Sequence, residues 1–303
     1  MAAPSAIAEV PEAHAGYSEA ARRDRAVRFG KGLGAYTVLS VFAVIALVPF
    51  IYLLSPSFRK SYELLSYPPV WIPHSLYTGN FYTALHQTSY LRWALNTLIF
   101  AGSVTAITLV LDTLAGYAFA RLRFPGRTLI FGLVIATLMI PTAALVAPLY
   151  IMVSRLPGWT HSGVNTYPGM ILPMVCSPLG VFMMRQFIST LPEALVEAAR
   201  LDGAGEWQIF RKIVLPLMKP AIVVLGIFTF MFQWVNFLWP LVVTTTDNMK
   251  TLTVGIASLQ GQFVTDWGVI SAAAVMTMVP VIVIFLIFQR WFVQASMAGA
   301  LKQ

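Results

Sequence analysis

The segment EAARLDGAGEWQIFRKIVLP, residues 197–216, separates two long apolar stretches of this chain. Its fixed points, read in order, are Glu197, Ala198, Ala199, Gly203, Ile213, Leu215 and Pro216. A charged, helix-forming segment with a glycine break and a proline near its end is unusual in so apolar a sequence. We expect this segment to stand outside the membrane and to offer a shaped surface to another molecule.

The composition is that of an integral membrane protein. Of the 303 residues, 58% are hydrophobic and only 11% are charged, whereas a soluble domain carries about 25% charged residues. The mean hydropathy is +0.74. Six stretches are long enough to cross about 30 Å of hydrocarbon as helices. They lie at residues 33–54, 93–119, 129–153, 167–184, 221–243 and 269–288. The sequence therefore predicts an all-helical membrane domain of six spans.

Lysine and arginine are distributed unevenly between the two sets of span ends. Most of the 20 lie at one set, with clusters at residues 22–31, 121–127 and 211–219. By the positive-inside rule, both termini and the loop at residues 186–220 are predicted to be cytoplasmic. The net charge of +8 then reflects contact with the lipid of the inner leaflet and indicates no nucleic-acid partner. Residues 1–30 are expected to form a mobile cytoplasmic tail, in which residues 17–29 are a candidate surface helix. Residues 31–303 are expected to form the membrane domain.

The loop at residues 186–220 is expected to fold as two short helices around Gly203. Thr190 is a candidate N-cap for the first helix, and Pro216 is expected to close the second. An apolar stripe at helical spacing in the second helix consists of Trp207, Phe210 and Ile213. The acids of the loop include Glu197, Asp202 and Glu206. Such a hairpin suits either a protein groove or a lipid surface, and its acids favour a protein.

Motifs for enzymatic chemistry are missing from the sequence. There is no Gly-x-x-x-x-Gly-Lys-[Ser/Thr] phosphate-binding loop and no Gly-x-Ser-x-Gly nucleophile turn. The four histidines are scattered without metal-ligand spacing: His14, His74, His86 and His161. We therefore predict no catalytic residue, metal or cofactor in this chain, and any ATP-driven step requires another chain. The lack of an internal repeat also suggests half of a larger assembly.

Two sets of polar residues fall inside predicted spans. Asp112 is an acid in the second span, and it shares a helix face with Thr105 and Thr108. It is interpreted either as part of a proton or cation relay, or as a buried hydrogen-bonding group, or as a carboxylate that reaches Arg121 or Arg123. The second set, in the fifth span, comprises Thr229, Gln233 and Asn236, with Trp234 beside them. Neutral amides and hydroxyls next to aromatic rings suit an uncharged polyol, or they join helices to one another.

The first outer loop, residues 55–92, is long and rich in proline and aromatic residues. It fits a belt of aromatic side chains at the membrane interface, and it equally fits a docking surface for an external partner.

The segment at residues 197–216 resembles the EAA signature of permease subunits of bacterial ABC importers, and every fixed position of that signature is present. The similarity covers nearly the whole chain after residue 30, and it is closest to carbohydrate importers of the maltose and glycerol-phosphate types. Family-like phrases are AFARLRFPGR (118–127), MMRQF (183–187), SLQG (258–261), FQR (288–290) and AGALK (298–302).

The resemblance implies the type I ABC importer permease fold in the inner membrane of a bacterium. It also implies a second homologous permease, two ATPase subunits that hold ATP and Mg, and an external binding protein that delivers the sugar. The residues it assigns to ATPase coupling are Glu197, Ala198, Ala199, Asp202, Gly203, Ile213, Leu215 and Pro216. Many relatives read Trp-Asn-[Asp/Glu/Asn]-Phe where this chain has WVNF at 234–237, so no sugar contact is carried over.

Three other functions stay open at the level of the sequence. The chain could serve an ABC importer for a non-sugar solute such as a phosphate ester, peptide or metal. A stand-alone ion-coupled carrier is the second alternative, although Asp112 has no second membrane acid to complete a relay. A membrane-embedded enzyme is the third, and it lacks a nucleophile or metal set.

Overall fold

The computed structural model describes residues 13–64, 75–155, 163–261 and 265–300, and within them it contains helices and turns but no strand. The helices before the EAA segment are α1 (Ala13–Ser57), α2 (Ser61–Leu64), α3 (Gly79–His86), α4 (Tyr90–Arg121), α5 (Arg127–Ala136), α6 (Thr142–Ser154), α7 (Tyr167–Ile171) and α8 (Pro178–Ser189). The helices of the EAA segment are α9 (Glu193–Leu201), α10 (Glu206–Ile209) and α11 (Leu215–Leu217), and those after it are α12 (Lys219–Trp234), α13 (Leu238–Val243), α14 (Leu252–Ser258) and α15 (Trp267–Ala300).

The chain forms two units, Met1–Leu54 and Ser55–Gln303. In the first unit, α1 is one helix from Ala13 onward, so the optional surface helix at 17–29 is continuous with the first span. The first 12 residues of the predicted tail lie outside the described residues. The boundary that we placed at residue 30 stays a prediction.

Six spans are consistent with the lengths and composition of the described helices. Three helical stretches are each long and apolar enough to cross a membrane alone: Gly34–Ser57, Tyr90–Arg121 and Trp267–Gln289. Three further pairs reach that length only together: Arg127–Met139 with Thr142–Ser154, Tyr167–Met174 with Pro178–Ser189, and Glu206–Leu217 with Lys219–Trp234. In the last pair only Lys219–Trp234 is assigned to the membrane, because Glu206–Leu217 belongs to the loop predicted at 186–220. The bends within these pairs are 106°, 46° and 75°.

Proline lies at the breaks in two of these spans. Pro141 precedes α6 in an extended conformation, and Pro178 is the first residue of α8. Because proline lacks a backbone N–H, it is favoured at a helix start and removes a hydrogen bond in a helix interior. Proline alone does not break a helix here, since Pro148 lies inside α6 and Pro280 inside α15.

The predicted span at 221–243 is not one continuous helix, and neither are those predicted at 129–153 and 167–184. Helix α12 ends at Trp234 and α13 begins at Leu238. Pro240 could not donate to the Asn236 carbonyl in an unbroken helix, and that carbonyl accepts instead from Thr253 Oγ1 at 2.8 Å. A freed carbonyl at membrane depth needs such a partner.

Helix α4 is the centre of the second unit. It packs against α8 and α12, and α15 packs against α3 and α12. Side chains from α4 enter all three buried apolar clusters of this unit: Tyr117 in one, Trp93 and Ala101 in the second, Phe100 and Val104 in the third. A displacement of α4 would therefore disturb every one of these clusters.

Candidate functional site

The EAA segment folds as two short helical arms, and residues 193–217 are called the EAA hairpin below. Helix α9 forms the first arm, while α10, a π-helical turn at Phe210–Val214 and α11 form the second. The predicted N-cap was wrong: Thr190 ends α8 and its hydroxyl donates to the Phe187 carbonyl at 2.8 Å. Pro216 also does not close the second arm. It lies in α11, which directly follows the π-helical turn, and the arm runs on to Leu217.

Gly203 makes the turn between the two arms. Its φ of 79° is left-handed. The Ala204 N–H donates to the Ala199 carbonyl, and the Gly203 N–H donates to the Arg200 carbonyl, both at 3.0 Å. This is the Schellman arrangement, which pairs the last carbonyls of a helix and favours glycine at the left-handed position.

One face of the EAA hairpin belongs to the protein interior. Its buried residues are Val196, Ala199, Ile209, Phe210 and Val214. They share a cluster with Tyr117 of α4 and with Met184 and Ile188 of α8. The hairpin is therefore packed on the ends of two spans and is not a free loop.

The opposite face of the hairpin exposes large apolar side chains. Leu201 is 90% exposed and Trp207 is 62% exposed. Trp207 also stacks on Phe210, with 5.5 Å between ring centroids. Large apolar side chains left exposed on a packed scaffold are typical of a surface that binds a protein or a membrane.

The residues that we assigned to coupling divide between these two faces. Glu197, Ala198, Asp202, Gly203 and Pro216 are exposed. Ala199 is buried, and Ile213 and Leu215 are partly buried against the inner cluster. The signature thus combines surface positions with positions that attach the surface to the membrane domain.

Two arginines tie the end of α4 to the chain that leads into the hairpin. Arg121 donates through Nη2 to the carbonyls of Ile188, at 2.8 Å, and Leu191. Arg185 donates to the Phe119 carbonyl at 3.3 Å, and its guanidinium lies 4.1 Å from the Phe131 ring centroid. These contacts fix the spacing of α4 and α8 where the hairpin begins.

A third polar contact joins α4 to the hairpin itself. The Tyr117 hydroxyl donates to Glu206 Oε2 at 2.6 Å, and Arg200 Nε donates to Glu206 Oε1 at 2.8 Å. Hydrogen bonds from Arg200 and then from Tyr117 hold the pKa of Glu206 below its ordinary value. The contact therefore contributes stability above the ordinary carboxyl pKa and loses it as pH falls through the lowered pKa.

Asp112 lies against the break in the fourth span. It is fully buried, and its Oδ1 accepts from the Ser177 N–H at 3.3 Å and from Cys176 Sγ at 3.6 Å. Its described hydrogen bonds do not go to Arg121 or Arg123. Helix α8 starts beside it, and a Cβ at Gly180 would collide with Oδ2. The carboxylate thus occupies the positive end of a half-helix.

The polar residues of the fifth span bond to one another and to their neighbours. Asn236 Nδ2 donates to Gln233 Oε1 at 2.9 Å, and Gln233 is 7% exposed. Trp234 Nε1 donates to the Thr277 carbonyl at 3.1 Å. Thr229 lies half-buried on α12. Because the helix ends at Trp234, Asn236 lies in a connector and does not continue the predicted helical stripe.

A cavity of about 430 Å³ opens next to this connector. Its lining residues are Phe237, Thr253, Ile256, Ala257, Gln260, Ile270, Ala274 and Thr277. As far as the structure describes this wall, it carries hydroxyl and amide groups on an apolar surface and no charge. Such a surface suits an uncharged ligand.

A polar cluster around Asn96, called the outer cluster because it lies at the end of the spans predicted to face outward, was not predicted from the sequence. Asn96 is fully buried, and its Nδ2 donates to the carbonyls of Asn248 and Lys250, both at 2.8 Å. Its Oδ1 accepts from the Tyr167 hydroxyl at 2.6 Å. The neighbouring Thr97 accepts from the Leu252 N–H at 2.8 Å. An asparagine in an apolar span was the available signal.

Asp247 adds a charged contact to this outer cluster. Its carboxylate accepts from the Ser89 hydroxyl and pairs with Lys250 at 3.1 Å. The Ser89 hydrogen bond and then the Lys250 ammonium hold the pKa of Asp247 below its ordinary value. The segment at residues 247–250 is therefore attached to the start of α4 most firmly above the ordinary carboxyl pKa.

The fold and the packed hairpin together define a subunit of a membrane transport system. The family model for the inner membrane component of binding-protein-dependent transport systems matches residues 112–296. The chain belongs to this family. It is a multi-pass permease subunit of a sugar-type importer family, and the fold is the one that we predicted.

Comparisons with individual proteins agree with this assignment. The arabinooligosaccharides transport system permease protein AraQ of Halalkalibacterium halodurans is 37% identical over 86% of this chain and 92% of its own length. The sn-glycerol-3-phosphate transport system permease protein UgpE of Yersinia pestis is 34% identical over 79% and 84%. A chain from the crystal structure of a bacterial ABC transporter involved in alginate import has a TM-score of 0.73 and 22% identity. It covers 89% of this chain and 98% of its own.

Proposed function

We propose that this chain forms half of the membrane pathway of an ATP-driven, binding-protein-dependent importer for a sugar or related polyol. The observation that carries the proposal is the EAA hairpin, whose inner face is buried against α4 and α8 while Leu201 and Trp207 stay exposed. The arabinooligosaccharide permease among its relatives supports the solute class.

Two ATPase subunits are the proposed partners of the exposed hairpin face. They bind ATP with Mg and hydrolyse it, while this chain contributes no catalytic group. A cleft on the ATPase receives Glu197, Ala198 and Asp202 together with the apolar Leu201. The acids add selectivity for a basic cleft, whereas an apolar side chain such as Leu201, once it is buried in that cleft, supplies most of the affinity.

Movement of the hairpin reaches the pathway through the packed ends of α4 and α8. Buried side chains such as Ile209 and Phe210 transmit force because protein interiors are close-packed and resist compression. When the ATPase pair closes, the hairpins of this chain and of a second permease approach each other. The solute pathway between the two permeases then opens outward, and it opens inward again after hydrolysis.

The proposed solute is uncharged and hydroxyl-rich. Gln260 offers an amide on an apolar wall. The hydroxyls of Thr253 and Thr277 donate to the carbonyls of Asn236 and Ala273 and keep lone pairs that can accept from a sugar hydroxyl. Relatives that carry a phosphate ester, such as the glycerol-phosphate permease, make that solute the second candidate. The uncharged wall favours the neutral polyol, because a phosphate ester would be left without a cationic partner.

The decisive experiment is purification of the tagged chain from its native membrane, followed by reconstitution of the recovered complex in liposomes. We expect an ATPase and a second permease to copurify. We also expect one loaded external binding protein, offered with a panel of neutral oligosaccharides and phosphate esters, to stimulate ATP hydrolysis and solute uptake.

A different result would reject the proposal. An ATPase-free preparation that accumulates solute on an ion gradient would identify a secondary carrier and direct attention to Asp112. Stimulation by a phosphate ester alone would keep the importer but reject the neutral polyol.

A further inference from the structure

The contact between Tyr117, Glu206 and Arg200 occupies a special place in the fold. Glu206 is the first residue of α10, directly after the turn of the EAA hairpin. It accepts from Arg200 on the other arm and from Tyr117 on α4. One carboxylate therefore connects both arms of the hairpin to the second span.

The two halves of this contact differ in exposure. The side chains of Arg200 and Glu206 are 41% and 44% exposed, and an ion pair so close to water adds little stability. Tyr117 is only 4% exposed, and its ring lies 5.1 Å from that of Phe210. Its buried hydroxyl needs an acceptor, and Glu206 supplies it.

No other described side chain of α4 forms a hydrogen bond to the EAA hairpin. Arg121, the neighbouring anchor, reaches Ile188 and Leu191, which precede the hairpin. Apolar packing resists compression but allows sliding, whereas a hydrogen bond to a charged acceptor also fixes direction. The Tyr117–Glu206 bond thus determines how the hairpin is aligned with α4.

We propose that Tyr117 and Glu206 are positioning residues that transmit movement of the EAA hairpin to the second span. This inference rests on the proposed function, since it assumes that an ATPase moves the hairpin. Arg200 holds the Glu206 carboxylate toward Tyr117 and keeps the two arms together as they move. Loss of the contact lets the hairpin follow the ATPase without a matching displacement of α4.

The test is the number of solute molecules transported per ATP hydrolysed by the complete reconstituted importer. Tyr117→Phe removes one hydroxyl and keeps the ring against Phe210. We expect the number of solute molecules transported per ATP to fall about tenfold. A tenfold change corresponds to the lower end of the free-energy cost of losing a hydrogen bond to a charged group. Basal ATP hydrolysis should stay within about twofold of wild type.

Matched variants separate positioning from folding. Glu206→Gln keeps an acceptor oxygen for Tyr117 and should lower the ratio less than Glu206→Ala. The double variant Tyr117→Phe with Glu206→Ala should be no worse than Glu206→Ala alone, because both remove one bond. Tyr36→Phe, at a tyrosine that is 73% exposed, serves as the control.

Two failures are distinguishable. If wild-type complex transports with binding-protein stimulation but Tyr117→Phe leaves the ratio unchanged, the inference is wrong and the proposed function stands. The inference is equally overturned if the variant only lowers the melting temperature while the assembled fraction keeps the wild-type ratio. A wild-type complex without binding-protein stimulation would reject the proposed function itself.

Discussion

Replacing Gly203 by alanine isolates the backbone geometry of the hairpin turn. Gly203 has φ of 79°, and an added Cβ would meet no atom within 4 Å. The cost is therefore confined to the backbone, at about 1–2 kcal/mol for a Cβ in the left-handed region. This energy corresponds to an increase of about 5- to 30-fold in the population of hairpins with an opened turn.

Gly205 provides the matched control two residues away. It also has no atom within 4 Å of an added Cβ, but its φ of −71° and ψ of 158° suit any residue. Gly205→Ala should therefore leave the turn intact. No gain in stability is expected, because Gly205 is the N-cap of α10 and alanine is a poorer N-cap than glycine. Gly203→Asn should recover part of the loss, since asparagine tolerates the left-handed region.

Hydrogen exchange of the amides at 203 and 204 measures the opening directly, because both donate to the end of α9. We expect faster exchange in Gly203→Ala by about 5- to 30-fold and unchanged exchange in Gly205→Ala. Solute uptake per ATP should be lower in Gly203→Ala than in Gly205→Ala. Equal exchange rates in the two alanine variants would refute the reasoning, because only backbone conformation distinguishes the sites.

Three further predictions concern the remaining candidate residues. Glu197→Lys, at an exposed position, should abolish most uptake with normal membrane insertion, and copurification of the ATPase should drop; uptake at the wild-type rate contradicts the coupling role. Asn236→Leu should reduce sugar-stimulated ATP hydrolysis more than basal hydrolysis, and an equal loss would indicate a structural role. Asp112→Asn keeps an acceptor for the Ser177 N–H, whereas Asp112→Leu should destabilise the complex by about 1–3 kcal/mol in thermal unfolding; similar melting of the two variants would count against the capping role.

The span positions and the hairpin could be predicted because they depend on local pattern. Long apolar runs and the glycine at 203 each determine nearby structure. The predicted stripe of the second arm is not one face, since Trp207 is exposed whereas Phe210 is buried. Even so, the sequence located the arms better than their ends. The role of Thr190 as an N-cap failed because its hydroxyl bonds backward to Phe187, a choice that many serines and threonines in helices make.

Contacts between distant parts of the chain could not be predicted from one sequence. Glu206 was noted only as an acid, since nothing local indicates that Tyr117, 89 residues earlier, is its partner. The break after Trp234 needed both Pro240 and the distant hydroxyl of Thr253. Asp112 was singled out by its charge, but its place beside Ser177 depends on the packing of α4 against α8.

The Asn96 cluster has a consequence for biosynthesis. The carbonyls that satisfy its amide lie 152 and 154 residues further along the chain. At a synthesis rate of about 5–20 residues per second, the second span waits roughly 8–30 s for these partners. During that interval a polar amide stands in a nascent apolar helix, and water, lipid headgroups or the insertion machinery must shelter it. The outer end of the second span therefore matures late, after the ribosome has passed the fifth span.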